Sequence, residues 1–260
     1  MKQAIRALGI ATKILWIIVL VFAITGVYSA VNMRTGLGKT EISLSNSTIT
    51  LSIPFFINNT GFYEITDINI TTYIKDHDNK TISTSTTIVP TLPPSNNIQK
   101  SHNITLNISN LTREFQYLAF NDSVFNTYTL VTLRFAKIIP VQISTNATMP
   151  WGAPFYNFSL GDISLNYAEK RLIIPLSFKN HNTFFNINGT MRLKVYNEND
   201  EQISTTEVPI EVPAGSGFRG SVEMEVDLSK LTPEGQIYIF FETPMFNVGP
   251  VIKSWVIPHG

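Results

Sequence analysis

The sequence predicts an all-β protein: two tandem β-sandwich domains, an internal duplication, behind one N-terminal transmembrane helix. Three observations carry this expectation. An uncharged, mostly apolar run from Ile14 to Val31 stands near the start; the remainder repeats itself at an offset of about 121 residues; and both copies alternate apolar and polar residues between closely spaced turn clusters.

The apolar run of 18 residues would rise about 27 Å as a helix, close to the thickness of a hydrocarbon core. Lys13 can snorkel to the interface, so the helix can begin a turn or two earlier, at Ala7 or Leu8. Lys2, Arg6, Lys13 and Arg34 are the only charged residues among the first 34. That basic flank predicts a cytoplasmic N-terminus with the rest of the chain outside. A cleaved signal peptide is the rival reading. It needs small residues at positions −3 and −1, and Tyr28-Ser29-Ala30 places a bulky Tyr at the first. The expectation is therefore an uncleaved signal-anchor within residues 1–36, contacting the bilayer through residues 14–31.

Composition excludes several function classes. The chain has no cysteine, so disulfides, thiolate chemistry and Cys-based zinc sites are out together. Net charge is zero overall, but the residues after Arg34 hold 15 basic against 19 acidic groups, which argues against nucleic acid as a partner.

The repeat sets the domain boundaries. LGKTEISLSNSTITLSIPFF from Leu37 matches LGDISLNYAEKRLIIPLSF from Leu160, with Pro54 on Pro175. IKDHDNKTISTST lies over VYNENDEQISTTE, and NITLNISNLTRE over EMEVDLSKLTPE. The domains read as a first sandwich over 37–145, an aromatic linker over 146–159, and a second sandwich over 160–260. In SVEMEVDLS, Val222, Met224, Val226 and Leu228 should point inward, with Glu223, Glu225 and Asp227 outward. The same polarity puts Asn103 and Asn107 on the solvent face of the first copy. An insertion in that copy, EFQYLAFNDSVF, predicts a short helix after Thr112.

Eleven Asn-x-Ser/Thr acceptors follow the apolar segment: Asn46, Asn58, Asn69, Asn79, Asn103, Asn107, Asn110, Asn121, Asn146, Asn157 and Asn188. Chance would give roughly four. Eight fall between Asn46 and Asn121, so the expectation is a heavily N-glycosylated first domain and a barer second one. The bland alternative is a polar strand face.

Catalytic and metal motifs do not assemble. GLGKT (Gly36–Thr40) lacks the earlier glycine and the preceding strand of a phosphate loop, so it reads as a turn opening the repeat. GSGFRG (Gly215–Gly220) has dinucleotide-loop spacing but leads into an alternating strand rather than a helix, so it reads as a hairpin loop. Asp76-His77-Asp78-Asn79 and Asn197-Glu198-Asn199-Asp200 are oxygen-rich loops at equivalent positions. They lack calcium-loop spacing, and Asx turns explain them. Glu223 and Glu225 read as a solvated face rather than a glycosidase pair. His77, His102, His181 and His259 show neither metal-ligand spacing nor a Ser/Asp partner pattern. No catalytic residue, cofactor or metal ligand is expected. Trp151, Phe155, Tyr156 and Phe158 crowd the linker, either as packing between domains or as a lipid or protein contact.

The stretch IPLSFKNHNTFFNINGTMRLKVYNENDEQIS followed by VPIEVPAGSGFRGSVEMEVDLS resembles the LEA14, or water-stress-and-hypersensitive-response, domain. Asn180-His181-Asn182 stands where that family has Asn-Pro-Asn, and Asn58-Asn59-Thr60 is the counterpart in the first copy. The whole chain is also similar to archaeal single-pass membrane proteins with tandem domains and a WGAP linker, here Trp151–Pro154. The resemblance implies a seven-stranded or similar sandwich and brings no catalytic residues.

The functional expectation is a membrane-anchored extracellular glycoprotein with a structural or interaction role in the cell envelope. It would be S-layer-associated or an accessory subunit of a surface assembly, with other envelope proteins or itself as partner. The alternatives are a lipid-binding or lipid-transfer module, with lipid as ligand, and a surface filament subunit.

Overall fold

The computed structural model describes residues 2–256; Met1 and residues 257–260, His259 among them, lie outside the described residues. Helix α1 (Lys2–Asn32) comes first, and its stretch Leu8–Asn32 is long and apolar enough to cross a membrane. The first copy follows as β1 (Arg34–Leu37), β2 (Glu41–Ser45), β3 (Thr48–Asn59), β4 (Ile65–Lys75), β5 (Thr81–Val89), β6 (Asn96–Asn107), α2 (Ile108–Glu114), a 3-10 turn (Gln116–Ala119), β7 (Ser123–Phe135) and β8 (Ile139–Trp151). The second is β9 (Tyr156–Leu160), β10 (Ser164–Asn166), β11 (Arg171–Lys179), β12 (Ile187–Asn197), β13 (Gln202–Val212), β14 (Gly217–Glu225), β15 (Glu234–Glu242) and β16 (Asn247–Val256).

The two copies share one topology. In the first, β3 pairs with β1 and β2 along one edge and β6 along the other, facing a sheet of order β5-β4-β7-β8. In the second, β11 pairs with β9, β10 and β14, facing β13-β12-β15-β16. Each sandwich therefore has eight strands, against the seven or a similar number that the resemblance implied. The extra one comes from a break in the outer strand, and Pro54 and Pro175 explain it. Each lacks an N–H on the side where the outer strand runs, so the ladder cannot continue there. The proline carbonyl instead accepts from the N–H of Gly38 (2.7 Å) or Gly161 (2.9 Å) at the break. GLGKT thus spans the end of β1 and the break after it, and in GSGFRG only Gly215 (φ +75°) and Ser216 close the loop from β13, while Gly217–Gly220 already belong to β14.

Turns repeat as faithfully as strands. Buried Asn180 donates Nδ2 to Phe185 O (3.1 Å) and Val212 O (3.2 Å), and its Oδ1 accepts from Asn182 N. Its counterpart by register is Asn59, one residue later than the sequence match placed it; Asn59 donates to Tyr63 O, Leu92 O and Pro93 O. Both oxygen-rich loops are Asx turns. Asp76 Oδ1 accepts from the N–H of Asp78 and Lys80, and Asn197 Oδ1 from those of Asn199 and Glu201. The expected strand polarity is present too: Val222, Met224 and Val226 are buried, as are Ile104 and Leu106, whereas Asn103 and Asn107 are exposed. Helix α2 starts at Ile108, before the insertion, because Asn107 Oδ1 caps it by accepting from Asn110 N (2.9 Å).

The linker is shorter than expected. β8 runs through Trp151 and β9 begins at Tyr156, leaving only residues 152–155 as connection. These residues are locked. Gly152 lies so close to the second copy that a Cβ there would sit 2.0 Å from His181 O. Asn182 Nδ2 donates to Gly152 O (3.0 Å), and His181 N donates to Ala153 O (3.0 Å). Phe155 is fully buried: its N–H donates to Ala119 O of the first copy, and its ring stacks on Phe241 of the second at 4.0 Å. One apolar core thus runs from Ile49 and Phe125 through Trp151 and Phe155 to Ile239 and Trp255. A second, smaller core at the other end of the first copy holds Phe55, Ile57, Ile65, Ile68, Val89, Leu92 and Phe135.

A polar layer separates those two cores. His102 on β6 is buried, with Nε2 2.9 Å from Thr72 Oγ1 and Nδ1 2.8 Å from Thr87 Oγ1; Thr72 Oγ1 lies 2.8 Å from Thr129 Oγ1. Register places Leu193, Val208, Val222 and Ile239 at these four positions in the second copy.

Candidate functional site

The most distinctive concavity lies where α1 meets the first sandwich, and it is built from a junction outward. Ser29 is fully buried; its Oγ donates to Thr25 O (2.8 Å) and accepts from Phe62 N (2.9 Å). Thr25 Oγ1 lies 2.7 Å from Tyr63 OH, and Thr60 Oγ1 donates to Asn32 O. Gly61 permits this approach, since a Cβ there would stand 2.5 Å from Ser29 Cβ. Aromatic contacts frame it: Phe22 with Tyr63 and Tyr28 with Phe62, each at 5.2 Å, and Tyr63 with Phe135 at 5.7 Å.

Beside this junction α1 stands off the sheet and leaves a cleft of about 490 Å³, within the range of small-molecule sites. Its helix wall includes Phe22, Gly26 and Val27; its sheet wall includes Phe135, Val141 and Ile143. The strand residues belong to the inner face of the sheet. Ile139, Val141 and Ile143 pair with Phe135, Leu133 and Val131, so all six face the sandwich interior. A second apolar cavity of about 250 Å³ adjoins the first, sharing Met33, Leu133 and Ile143 with it, and reaches Phe55, Ile57 and Ile68 between the sheets. Chemically, this arrangement suits apolar matter and nothing ionic.

The other candidate residues resolve as follows. Asn46, Asn79, Asn103, Asn107, Asn110, Asn121, Asn146, Asn157 and Asn188 are exposed, and Asn58 and Asn69 are half-buried on outward strand faces. Among the linker aromatics, Trp151 and Phe155 are spent inside: Trp151 Nε1 donates to Leu118 O (2.9 Å), and Phe155 joins the two cores. Neither is free to meet a partner, so for these two the structure takes the packing reading over the contact one. Tyr156 stacks on His181 at 4.0 Å and Phe158 packs edge-on to Phe241 at 5.6 Å, so both serve the second copy while staying partly accessible.

Asp76, His77 and Asp78 bring three potential ligand atoms within 4.8 Å of one another. Asp76 is already committed, to two backbone N–H groups through Oδ1 and to Tyr117 OH through Oδ2 (3.2 Å). Burial first, and then the Asp76 charge and hydrogen bond, push the Tyr117 phenol up to about 12. Because uncharged Asn197 makes the same turn in the second copy, the geometry belongs to the fold. Burial also lowers the pKa of His102, favouring the neutral ring. Glu223 pairs with Arg171 at 3.2 Å on the exposed face.

Sequence reasoning missed the cleft. The local signal was the alternation Ile139-Val141-Ile143, which marks an inner strand face but not whether anything covers it.

No family model and no curated protein matches the chain. Weak likenesses to solved structures exist. A red sea bream transglutaminase aligns over 86% of this chain and 31% of its own length, at 12% identity and a TM-score of 0.33. A Mobiluncus mulieris adhesin aligns over 80% of this chain and 79% of its own, at 8% identity and a TM-score of 0.31. A Bacteroides uniformis β-glucuronidase aligns over 53% of this chain and 16% of its own, at 15% identity and a TM-score of 0.28. At these scores they assign neither a family nor an activity.

Proposed function

We propose that this protein is a single-pass, membrane-anchored surface glycoprotein with a structural or interaction role in the cell envelope. In this reading α1 spans the bilayer, its basic flank stays in the cytoplasm, and both sandwiches stand outside. The observation that carries it is the continuity from helix to second domain. Ser29 ties α1 to the β3–β4 loop, and Phe155 ties the first sandwich to the second, so the anchor continues into the ectodomain without a flexible linker. The burial of Ser29 supports an uncleaved anchor, because cleavage after Ala30 would remove a buried part of the folded domain. Exposed acceptor sites, dense on the first copy and sparse on the second, support a sugar-shielded spacer that presents a barer domain to envelope proteins or to other copies. The tandem relationship to LEA14-like domains belongs to the same proposal, supported by the paired Asn59 and Asn180 turns.

Native mass spectrometry of the protein extracted from its own membranes, before and after glycan removal, tests the reading. Stoichiometric protein partners or self-assemblies, with a glycan mass shift, are expected. A lone unmodified chain would sink it. The apolar cleft favours a second reading, a lipid-binding module, for which a lipid retained through extraction is the signature.

A further inference from the structure

We propose that the cleft between α1 and the first sandwich seats one hydrocarbon chain of an outer-leaflet lipid, drawn from the bilayer toward the space between the two sheets. The inference rests on the membrane-spanning reading of α1. About 20 residues cross a hydrocarbon core of roughly 30 Å, so a span beginning at Leu8 ends near Val27. The helix wall of the cleft runs from Val19 through Phe22, Gly26 and Val27 to Ala30 and Met33, so it straddles the outer boundary of that span. The sheet wall stands at the same level, because Phe22 touches Tyr63 and Tyr63 touches Phe135. The lower end of the cleft therefore opens at the outer face of the bilayer while the sandwich stands above it, and lipid chains are the apolar matter at its mouth.

Three features make it more than the ordinary surface of a membrane helix. Its far wall is the inner face of a sheet. Ile143 is 55% exposed there, while its register counterpart in the second copy, Val248, is 4% exposed. The adjoining cavity continues between the sheets past Ile57 and Ile68, so a chain has somewhere to go. And Gly26 is not spent on close packing: a Cβ built on it meets nothing within 4 Å, so the helix leaves that volume open. Where the cleft rises past the span, at Ala30 and Met33, a chain covering this face also removes apolar surface from water.

The test uses the full chain in phosphatidylcholine vesicles doped with the same lipid carrying a diazirine at one acyl-chain end. After illumination, adducts are mapped by mass spectrometry. The inference expects adducts on the inner-face residues Leu133, Val141 and Ile143 as well as on the outward helix residues Ile17 and Ile24. Gly26→Phe, which fills open space, should cut the strand adducts by roughly tenfold and leave those on Ile17 and Ile24 unchanged. Adducts confined to the outward helix face overturn the inference while leaving the membrane anchor standing. No adducts anywhere on α1 overturn both, and so separate failure of the anchor from failure of the site. Strand adducts that persist in Gly26→Phe overturn the cleft as the route.

Discussion

The two copies have the same strand order, the same proline-broken outer strand and the same Asx turns, yet they fill their centres differently. Where the second copy stacks Leu193, Val208, Val222 and Ile239, the first places Thr72, Thr87, His102 and Thr129, linked by hydrogen bonds of 2.8–2.9 Å. Topology therefore does not dictate core chemistry; any layer works provided its polar groups are paired. The ends differ too. The second copy shares its apolar core with the linker, whereas the first keeps a separate small core beside the cleft. One copy is a continuous block and the other is divided by a polar layer.

The largest expected effect comes from cutting what the copies share. Phe155→Ala should cost about 3–5 kcal/mol and uncouple the two blocks. In urea titrations followed by hydrogen exchange on each copy, one joint transition should become two. A single unshifted transition would show that the shared core does not couple them.

The polar layer comes next. His102→Val alone removes the ring partner of Thr87 and leaves Thr72 only Thr129, and should destabilise the first copy by about 1–3 kcal/mol. Adding Thr72→Leu, Thr87→Val and Thr129→Ile, which copies the second domain, should recover most of that loss, because an apolar layer has no pairing to satisfy. If the fourfold variant is weaker than the single one in thermal unfolding, the equivalence of the two layers is wrong.

Acid should separate the copies without mutation. His102 has a pKa below its unfolded value of 6.5 because burial disfavours the charged ring. The unfolded chain therefore binds more protons between the two values, and stability falls as pH drops through that window. The contribution is present in full above pH 6.5 and lost on descending through the lowered folded value. Hydrogen exchange between pH 7.5 and 5 should show the first copy loosening before the second, and His102→Val should remove that difference.

The smallest effect tests the turns. Asp76→Asn puts the second copy's residue into the first copy's loop and should change stability by less than about 1 kcal/mol. It should also lower the Tyr117 pKa from about 12, since the Asp76 charge and hydrogen bond help to raise it. Ultraviolet titration of the phenol reads this directly.

Much of the fold was legible because it depends on local periodicity. Alternation in SVEMEVDLS fixed which face is buried, and the matched stretches around Pro54 and Pro175 announced the duplication. Strand count was not, since a break caused by a missing N–H shows only once the outer strand is laid beside the proline. The burial of His102 was half legible: its two threonine partners, and Thr129 behind Thr72, lie far apart in sequence, and only alignment of the copies at Leu193, Val208 and Ile239 singles them out.

The sequence by itself determined the all-β class, the apolar helix, the two copies and the solvent face that carries Asn103 and Asn107, because each follows from spacing within a few residues or from repetition. Tertiary structure alone decided that Trp151 and Phe155 lie inside, that Ser29 pins α1 to the β3–β4 loop, and that the inner face of β8 stays open beside Gly26. Those outcomes depend on which distant surface arrives to cover a residue, and a one-dimensional pattern carries no record of what covers it.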